Sequence, residues 1–286
     1  MKPPEDSLRE LVARALAEDV DERGDLTSAA VVPAHVTTTA TFVARDAGVL
    51  AGTVAATEVF RQVDPDVVST WTARDGDALR AGEPFGAVRG RVRSVLTAER
   101  TALNFLTHCS GIATLTRCYV EAAAGRAVIR DTRKTLPGLR AVEKAAVRAG
   151  GGENHRDSLS DAVLIKDNHL VFADLASAVA AARGAGGRFV EVECDSLDQV
   201  AQAKVAAPDL VLLDNMGAEE VADAVAVLGG SVPVEVSGAV ALDTVSAYAD
   251  AGAAYISVGA ITHSAPSLDL ALDISTHDIS HGAEDT

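Results

Sequence analysis

Cysteine is scarce in this chain of 286 residues: Cys109, Cys118 and Cys194 are odd in number and lack the paired spacing of a zinc site or a disulfide framework. They read as small, partly buried apolar residues. Aromatic residues make up 3 % of the chain, and only five of its 25 basic residues are lysines (Lys2, Lys134, Lys144, Lys166 and Lys204). No apolar run is long and uncharged enough to span a bilayer, and the opening residues carry charges where a signal peptide needs an apolar core. The expected location is cytoplasmic, with no membrane partner. Cationic residues are in deficit too: 41 Asp and Glu give a formal charge of −16, so a nucleic-acid backbone would meet a repelling surface. An acidic, lysine-poor surface also suits a cytoplasm of high salt, where screening relieves self-repulsion.

What is present is organised in two styles. An amphipathic helix opens the chain, and residues 36–93 read as short strands and hairpins, with β-branched alternation punctuated by glycine. From Ser94 the pattern becomes helical, with a break expected at Gly111. After Ala127 six short apolar runs (AVIRDT, AVLIKDN, FVEVECDS, LVLLDN, VPVEVSG and YISVGA) alternate with alanine-rich helical stretches. That alternation predicts parallel strands joined by crossover helices. Each run ends in polar residues or glycine, as expected where strand ends converge on the catalytic face of an α/β barrel. The expected domains are 1–110, 111–274 and a polar tail at 275–286.

Against the acidic background stands a basic island. Between Arg126 and Lys166, nine Lys or Arg meet five Asp or Glu. Arg133, Lys134, Arg140, His155, Arg156, Lys166 and His169 suggest a pocket for a small polyanion, because guanidinium forks suit carboxylates and ammonium groups suit phosphate. Glu193 and Asp214 end two apolar strands, and Glu191 shares a strand face with Glu193. Facing cations, such carboxylates could hold Mg²⁺, stabilise a cationic transition state, or form a salt bridge to Lys166. Ser237-Gly238 and Gly259-Ala260 end the last two strands ahead of predicted helices, where backbone amides favour phosphate. In the helix that follows Ser94, Glu99 falls on the apolar arc and needs a buried partner, which leaves Arg100 outward.

The segments EDVDERGDLTS, AERTALNFL, RDTRKTLPGLRAVEKAAVRAGGGENHR, LIKDNH, EVECDS, LLDN and YISVGAITHS together resemble the quinolinate phosphoribosyltransferase family along nearly the whole chain. The resemblance implies an N-terminal α/β sandwich domain followed by an open α/β (TIM-like) barrel with about six to seven parallel strands. It also implies a homodimer, or a hexamer of dimers, whose active sites are shared between subunits. By the family pattern, Arg100 of one subunit joins Thr132, Arg133, His155, Arg156 and Lys166 of its partner around quinolinate. Lys134, Glu193, Asp214, Ser237, Gly238, Gly259 and Ala260 would face phosphoribosyl pyrophosphate, with Mg²⁺ as cofactor near Glu193 and Asp214. Lys134, Lys166, Glu193 and Asp214 would carry the chemistry. Where many relatives continue the Ser237-Gly238 turn with a second glycine, this chain has Ala239. Three other readings remain open: a Schiff-base aldolase barrel using Lys166, a relative of this family attached to molybdate transport loci and acting on another substrate, and a non-catalytic binder of phosphorylated metabolites.

Overall fold

The computed structural model describes residues 5–275 and 279–280. The chain forms two compact units, one drawn from Met1–Leu115, Leu136–Gly151 and Ala265–Thr286, the other from Thr116–Thr135 and Gly152–Ser264. Sequence position alone therefore does not divide them, since the 136–151 segment returns to the first unit. Of the polar tail expected at 275–286, residues 276–278 and 281–286 lie outside the described residues.

In the first unit, helices α1 (Glu5–Asp19), α2 (Leu26–Val31) and α3 (Thr53–Val63) accompany strands β1 (Thr37–Ala44), β2 (Gly48–Val49), β3 (Val68–Trp71), β4 (Ala78–Leu79) and β5 (Pro84–Arg91). An antiparallel sheet runs in the order β12-β1-β5-β3, where β12 is Leu270–Asp273, and the short β13 (Ile279–Ser280) also pairs with β1. β2 and β4 form a separate pair. Strict alternation along β1 buries Thr38, Ala40, Phe42 and Ala44, as a half-buried strand requires. Few aromatics are available, and this core concentrates them: Phe42 stacks on Trp71 at 4.8 Å and meets Phe85 and Phe60 at 5.7 and 6.1 Å. Such pairs add to the burial of the rings themselves.

Helix α4 (Val92–Ala123) is continuous through Gly111, so the expected break is not there. The glycine answers a packing demand: a Cβ at 111 would stand 2.1 Å from the carbonyl oxygen of Pro266. A helix tolerates a single glycine at modest cost, and close backbone approach is what that cost allows. Glu99 on α4 is half-buried, and burial raises its pKa, while Arg100 is exposed. The partner expected for Glu99 is not found among the described residues.

The second unit is built on six parallel strands: β6 (Val128–Arg130), β7 (Val163–Ile165), β8 (Val190–Cys194), β9 (Leu210–Asp214), β10 (Val234–Ser237) and β11 (Tyr255–Ser257). They coincide with the six apolar runs. Helices α6 (Asp167–Leu170), α7 (Leu175–Arg183), α8 (Leu197–Ala206), α9 (Ala218–Leu228), α10 (Val245–Asp250) and α11 (Ala260–His263) connect or follow them, while α5 (Arg140–Ala149) belongs to the first unit. The sheet order is β6-β11-β10-β9-β8-β7. Successive strands add on one side and the first pairs with the last, a pattern of barrel closure with no reversal of order such as a doubly wound sheet shows. A parallel bridge from Arg130 to Glu153 extends the β6 edge, and no ladder joins that edge to β7 among the described residues. The fold is an α/β sandwich unit with an open six-stranded barrel.

Gly111→Ala is expected to destabilise the protein by about 1–3 kcal/mol, the usual cost of overpacking. Urea unfolding checks it, and an unchanged midpoint would remove the close-approach account of this glycine.

Candidate active site

Strand register decides which side chains share the barrel interior. Leu164 pairs with Glu191, Glu193 with Leu212, Leu212 with Glu235, and Asp214 with Ser237, so alternate residues of neighbouring strands lie on one face. Along β8, Val190, Val192 and Cys194 are buried on the opposite face. At the C-terminal ends of these strands lies a cavity of about 370 Å³. The basic island lines one side of it with Thr132, Arg133, Lys134, His155, Arg156 and Lys166. Glu193, Asp214 and Ser237 line it as well, and Leu164 and Leu212 supply apolar surface. The cavity thus joins several cations to a small apolar wall.

The contacts within it are specific. Lys166 Nζ donates to Glu193 Oε2, so the salt bridge weighed from sequence is present, inside the cavity. Asp214 Oδ2 accepts from Asn215 Nδ2 at 2.8 Å. Arg156 is buried and donates through Nη1 to the Ala162 carbonyl at 3.1 Å. Its pKa is lowered by burial and then by the like charge of Arg133. Arg133 Nε is buried without a hydrogen-bond partner. A buried donor left unmatched in a protein is costly, and a bound acceptor would satisfy it. Lys134 donates its backbone N–H to Thr132 Oγ1 at 3.0 Å, and its carbonyl accepts from Thr262 Oγ1 at 2.8 Å.

Other expected residues lie elsewhere. Gly238 and Gly259 are not among the residues that line the cavity. Gly238 has φ of +119°, and a Cβ there would stand 2.8 Å from the Asn215 backbone nitrogen. At Gly259 a Cβ would come within 3.1 Å of Lys134 Cδ, so the missing side chain leaves that lysine its path. Ala260 opens the four-residue α11, whereas Ser237-Gly238 leads into a loop before α10, not directly into a helix. Ala239 is exposed and does not have positive φ, so this turn accepts its side chain. Arg100 and Arg140 belong to the first unit and are not among the residues that line the cavity. His169 is exposed, and its Nδ1 accepts the Lys166 backbone N–H at 2.9 Å; it caps α6 and contributes no charge to the cavity lining.

Sequence reasoning overlooked a buried layer beneath these groups. Glu235 and Ser257 also line the cavity, with Arg130 donating to Glu235 Oε2 at 2.8 Å and Ser257 Oγ donating to Oε1. Burial pushes the Glu191 carboxyl up to about 8, and burial, followed by the charge of Glu191, raises Glu235. The missed signal was VPVEVSG: a glutamate between valines, placed like Glu191 in FVEVECDS. For Mg²⁺, the donor set fits: Glu193 and Asp214 line the same cavity, each is held through one carboxylate oxygen, and hard oxygen ligands suit this ion.

Comparison with known proteins matches two family domains in succession along the chain. The quinolinate phosphoribosyl transferase N-terminal domain matches residues 25–110, and the C-terminal domain of that family matches residues 112–273. The chain is 43 % identical over 278 residues to nicotinate-nucleotide pyrophosphorylase (carboxylating) of Mycobacterium leprae, covering 94 % of this chain and 98 % of that protein. Its structure resembles the nicotinate-nucleotide pyrophosphorylase of Francisella tularensis with a TM-score of 0.90 at 40 % identity, over 96 % and 98 % of the two chains. It resembles NadC from Streptococcus pyogenes with a TM-score of 0.91 at 38 % identity, over 98 % and 99 %. With both domain models matched in order over nearly the full length, and the strand-end cations and carboxylates gathered in one cavity, this chain belongs to the quinolinate phosphoribosyltransferase family.

Proposed function

We propose that this protein converts quinolinate and phosphoribosyl pyrophosphate to nicotinate mononucleotide, pyrophosphate and carbon dioxide, a step of de novo NAD biosynthesis. The observation that carries this reading is the gathering of Arg133, His155, Arg156 and Lys166 around one cavity in a chain of formal charge −16. Quinolinate is a pyridine with two adjacent carboxylates and needs several cations in fixed geometry. Arg133, with its unmatched Nε, and Arg156 would hold these carboxylates, assisted by Thr132, His155 and Lys166. Lys134, Ser237 and the Gly238 and Gly259-Ala260 turns would receive the phosphates of the second substrate.

The ring nitrogen carries a lone pair, so no general base is needed to activate it. As it attacks the anomeric carbon, pyrophosphate leaves, and positive charge on the ribose is met by Glu193 and Asp214. Glu193 and Asp214 would also hold Mg²⁺, which when bound neutralises charge on the departing pyrophosphate. Once the nitrogen is quaternary, the bond from C2 to the adjacent carboxylate breaks, carbon dioxide leaves, the electron pair stays on C2 beside the cationic nitrogen that stabilises it, and C2 then takes a proton from water.

No helix among the described residues is long and apolar enough to cross a membrane. We further propose a cytoplasmic homodimer, or a hexamer of dimers, in which exposed Arg100 completes the site of a second copy, and an acidic surface suited to high salt. Arg100→Ala and Lys166→Ala, each nearly inactive, should recover part of the activity when mixed, and no recovery would refute shared sites.

The purified protein with quinolinate, phosphoribosyl pyrophosphate and Mg²⁺ should release nicotinate mononucleotide and carbon dioxide in equal amounts. Absence of both products from folded protein would overturn the reaction, and equal stability in low and molar potassium chloride would overturn the surface proposal. Arg133→Ala should weaken quinolinate binding about 10- to 100-fold with folding intact, the scale of a lost charge-assisted hydrogen bond. Glu193→Ala should instead lower kcat by roughly 100-fold with a smaller change in quinolinate affinity, as for loss of a group that meets developing charge. Titration calorimetry and steady-state rates separate the two; normal affinity in the first variant or normal turnover in the second would reassign that residue.

A further inference from the structure

The basic island reaches the cavity in two pieces. Arg133 and Lys134 follow β6 directly, whereas His155 and Arg156 come later in the chain, with α5, a part of the first unit, between the two pieces. The proposed reaction needs both around one cavity, so something must join them.

The backbone supplies part of the join. Glu153 donates its N–H to the Ile129 carbonyl at 2.8 Å, and its own carbonyl accepts from the Asp131 N–H at 3.2 Å, which makes the parallel bridge between Arg130 and Glu153. One further step of a parallel ladder would send the His155 N–H to the Asp131 carbonyl. It goes to the side chain instead: the His155 N–H donates to Asp131 Oδ1 at 3.0 Å, and the Asp131 carbonyl accepts from Ser257 Oγ at 3.3 Å. The carboxylate thus takes the place of the next backbone acceptor. Strand pairing stops there, and the next residues, His155 and Arg156, enter the cavity lining.

Asp131 itself is fully buried and is not among the residues that line the cavity. Its second oxygen, Oδ2, accepts from Asn154 Nδ2. A buried carboxylate persists only where its oxygens are hydrogen-bonded, and bonds to a charged acceptor are stronger than neutral ones. Two donors from consecutive residues fix both the place and the direction of the Asn154–His155 segment. The same aspartate immediately precedes Thr132 and Arg133 in the chain. Lys134 has an anchor of its own, because its carbonyl accepts from Thr262 Oγ1 at 2.8 Å.

We infer that Asp131 is a positioning residue for the dicarboxylate half of the site: its carboxylate clamps Asn154 and His155 to the end of β6 and so sets Arg133, His155 and Arg156 relative to one another. The phosphate half, with Lys134 held through Thr262, is set independently of that clamp. The inference rests on the quinolinate reading for its ligand and extends it to a residue outside the cavity lining.

Exchanging the two side chains tests the clamp in the full-length protein. Asn154→Asp sets two carboxylates against each other, and adding Asp131→Asn restores one donor and one acceptor with their places reversed. Asn154→Asp alone should weaken quinolinate binding roughly tenfold in calorimetry, the scale of a lost hydrogen bond to a charged group, and the exchanged pair should recover most of that loss. KM for phosphoribosyl pyrophosphate, taken at saturating quinolinate, should change less than about twofold in either variant, since uniform damage would move both substrates together. Unchanged quinolinate affinity in Asn154→Asp would overturn the inference, as would an equal loss for both substrates or no recovery in a folded exchanged pair. Backbone hydrogen exchange reads the clamp without substrate: the His155 N–H should be protected in the wild type and released in Asp131→Ala. Protection retained in Asp131→Ala would overturn the clamp. Release in that variant, from a protein whose wild type binds no quinolinate, would refute the substrate reading and leave the clamp standing.

Discussion

A charge turned toward the interior of a parallel-stranded barrel must find its opposite within a few ångströms or lose its ionisation. The second unit is organised around that constraint. Its strands place Glu191, Glu193, Asp214 and Glu235 inward, where apolar side chains would fill a barrel built for stability alone. Each acid is answered by a different group: Lys166 for Glu193, His155 for Glu191, Arg130 and Ser257 for Glu235, and an amide for Asp214. Among the cations that line the cavity, Arg133 keeps a buried Nε without a hydrogen-bond partner.

The layering has a functional logic. Fully buried Glu191 and Glu235 lie deepest, where burial raises the pKa of both. Glu193 and Asp214 stand nearer the strand ends, half-buried, where they can meet a ligand. One strand supplies both levels, because a two-residue step along β8 keeps the face and changes the depth. The first unit relies on a different economy: with few aromatic residues in the chain, three of its six phenylalanines and its single tryptophan meet in one cluster.

Much of this architecture is legible in the amino-acid sequence. The six apolar runs form the six strands, and their polar ends form the cavity lining, because alternation and strand length are local properties. Lys166, Glu193 and Asp214 can be read as inward because they follow directly on apolar strand residues. Arg130 and Glu235 also follow apolar strand residues, but their pairing is not legible, since only strand register sets one against the other, 105 residues apart. His169 misleads because clustering along the chain suggests a pocket, whereas its nitrogen only caps a short helix. Gly111 misleads in the other direction: helix propensity argues for a break, but the chain segment at Pro266 needs the space.

The sequence by itself determined the family, the strand set, the excess of acid and the basic island, since these depend on residue order, spacing and count. Tertiary structure alone decided how that island divides. Arg133, Lys134, Arg156 and Lys166 reach the cavity, Arg130 is spent on Glu235, and Arg140, Lys144 and Arg148 go with α5 to the first unit. Charge can be counted along a chain, but its partner is chosen by strand register and burial, and both are set by residues far away in sequence.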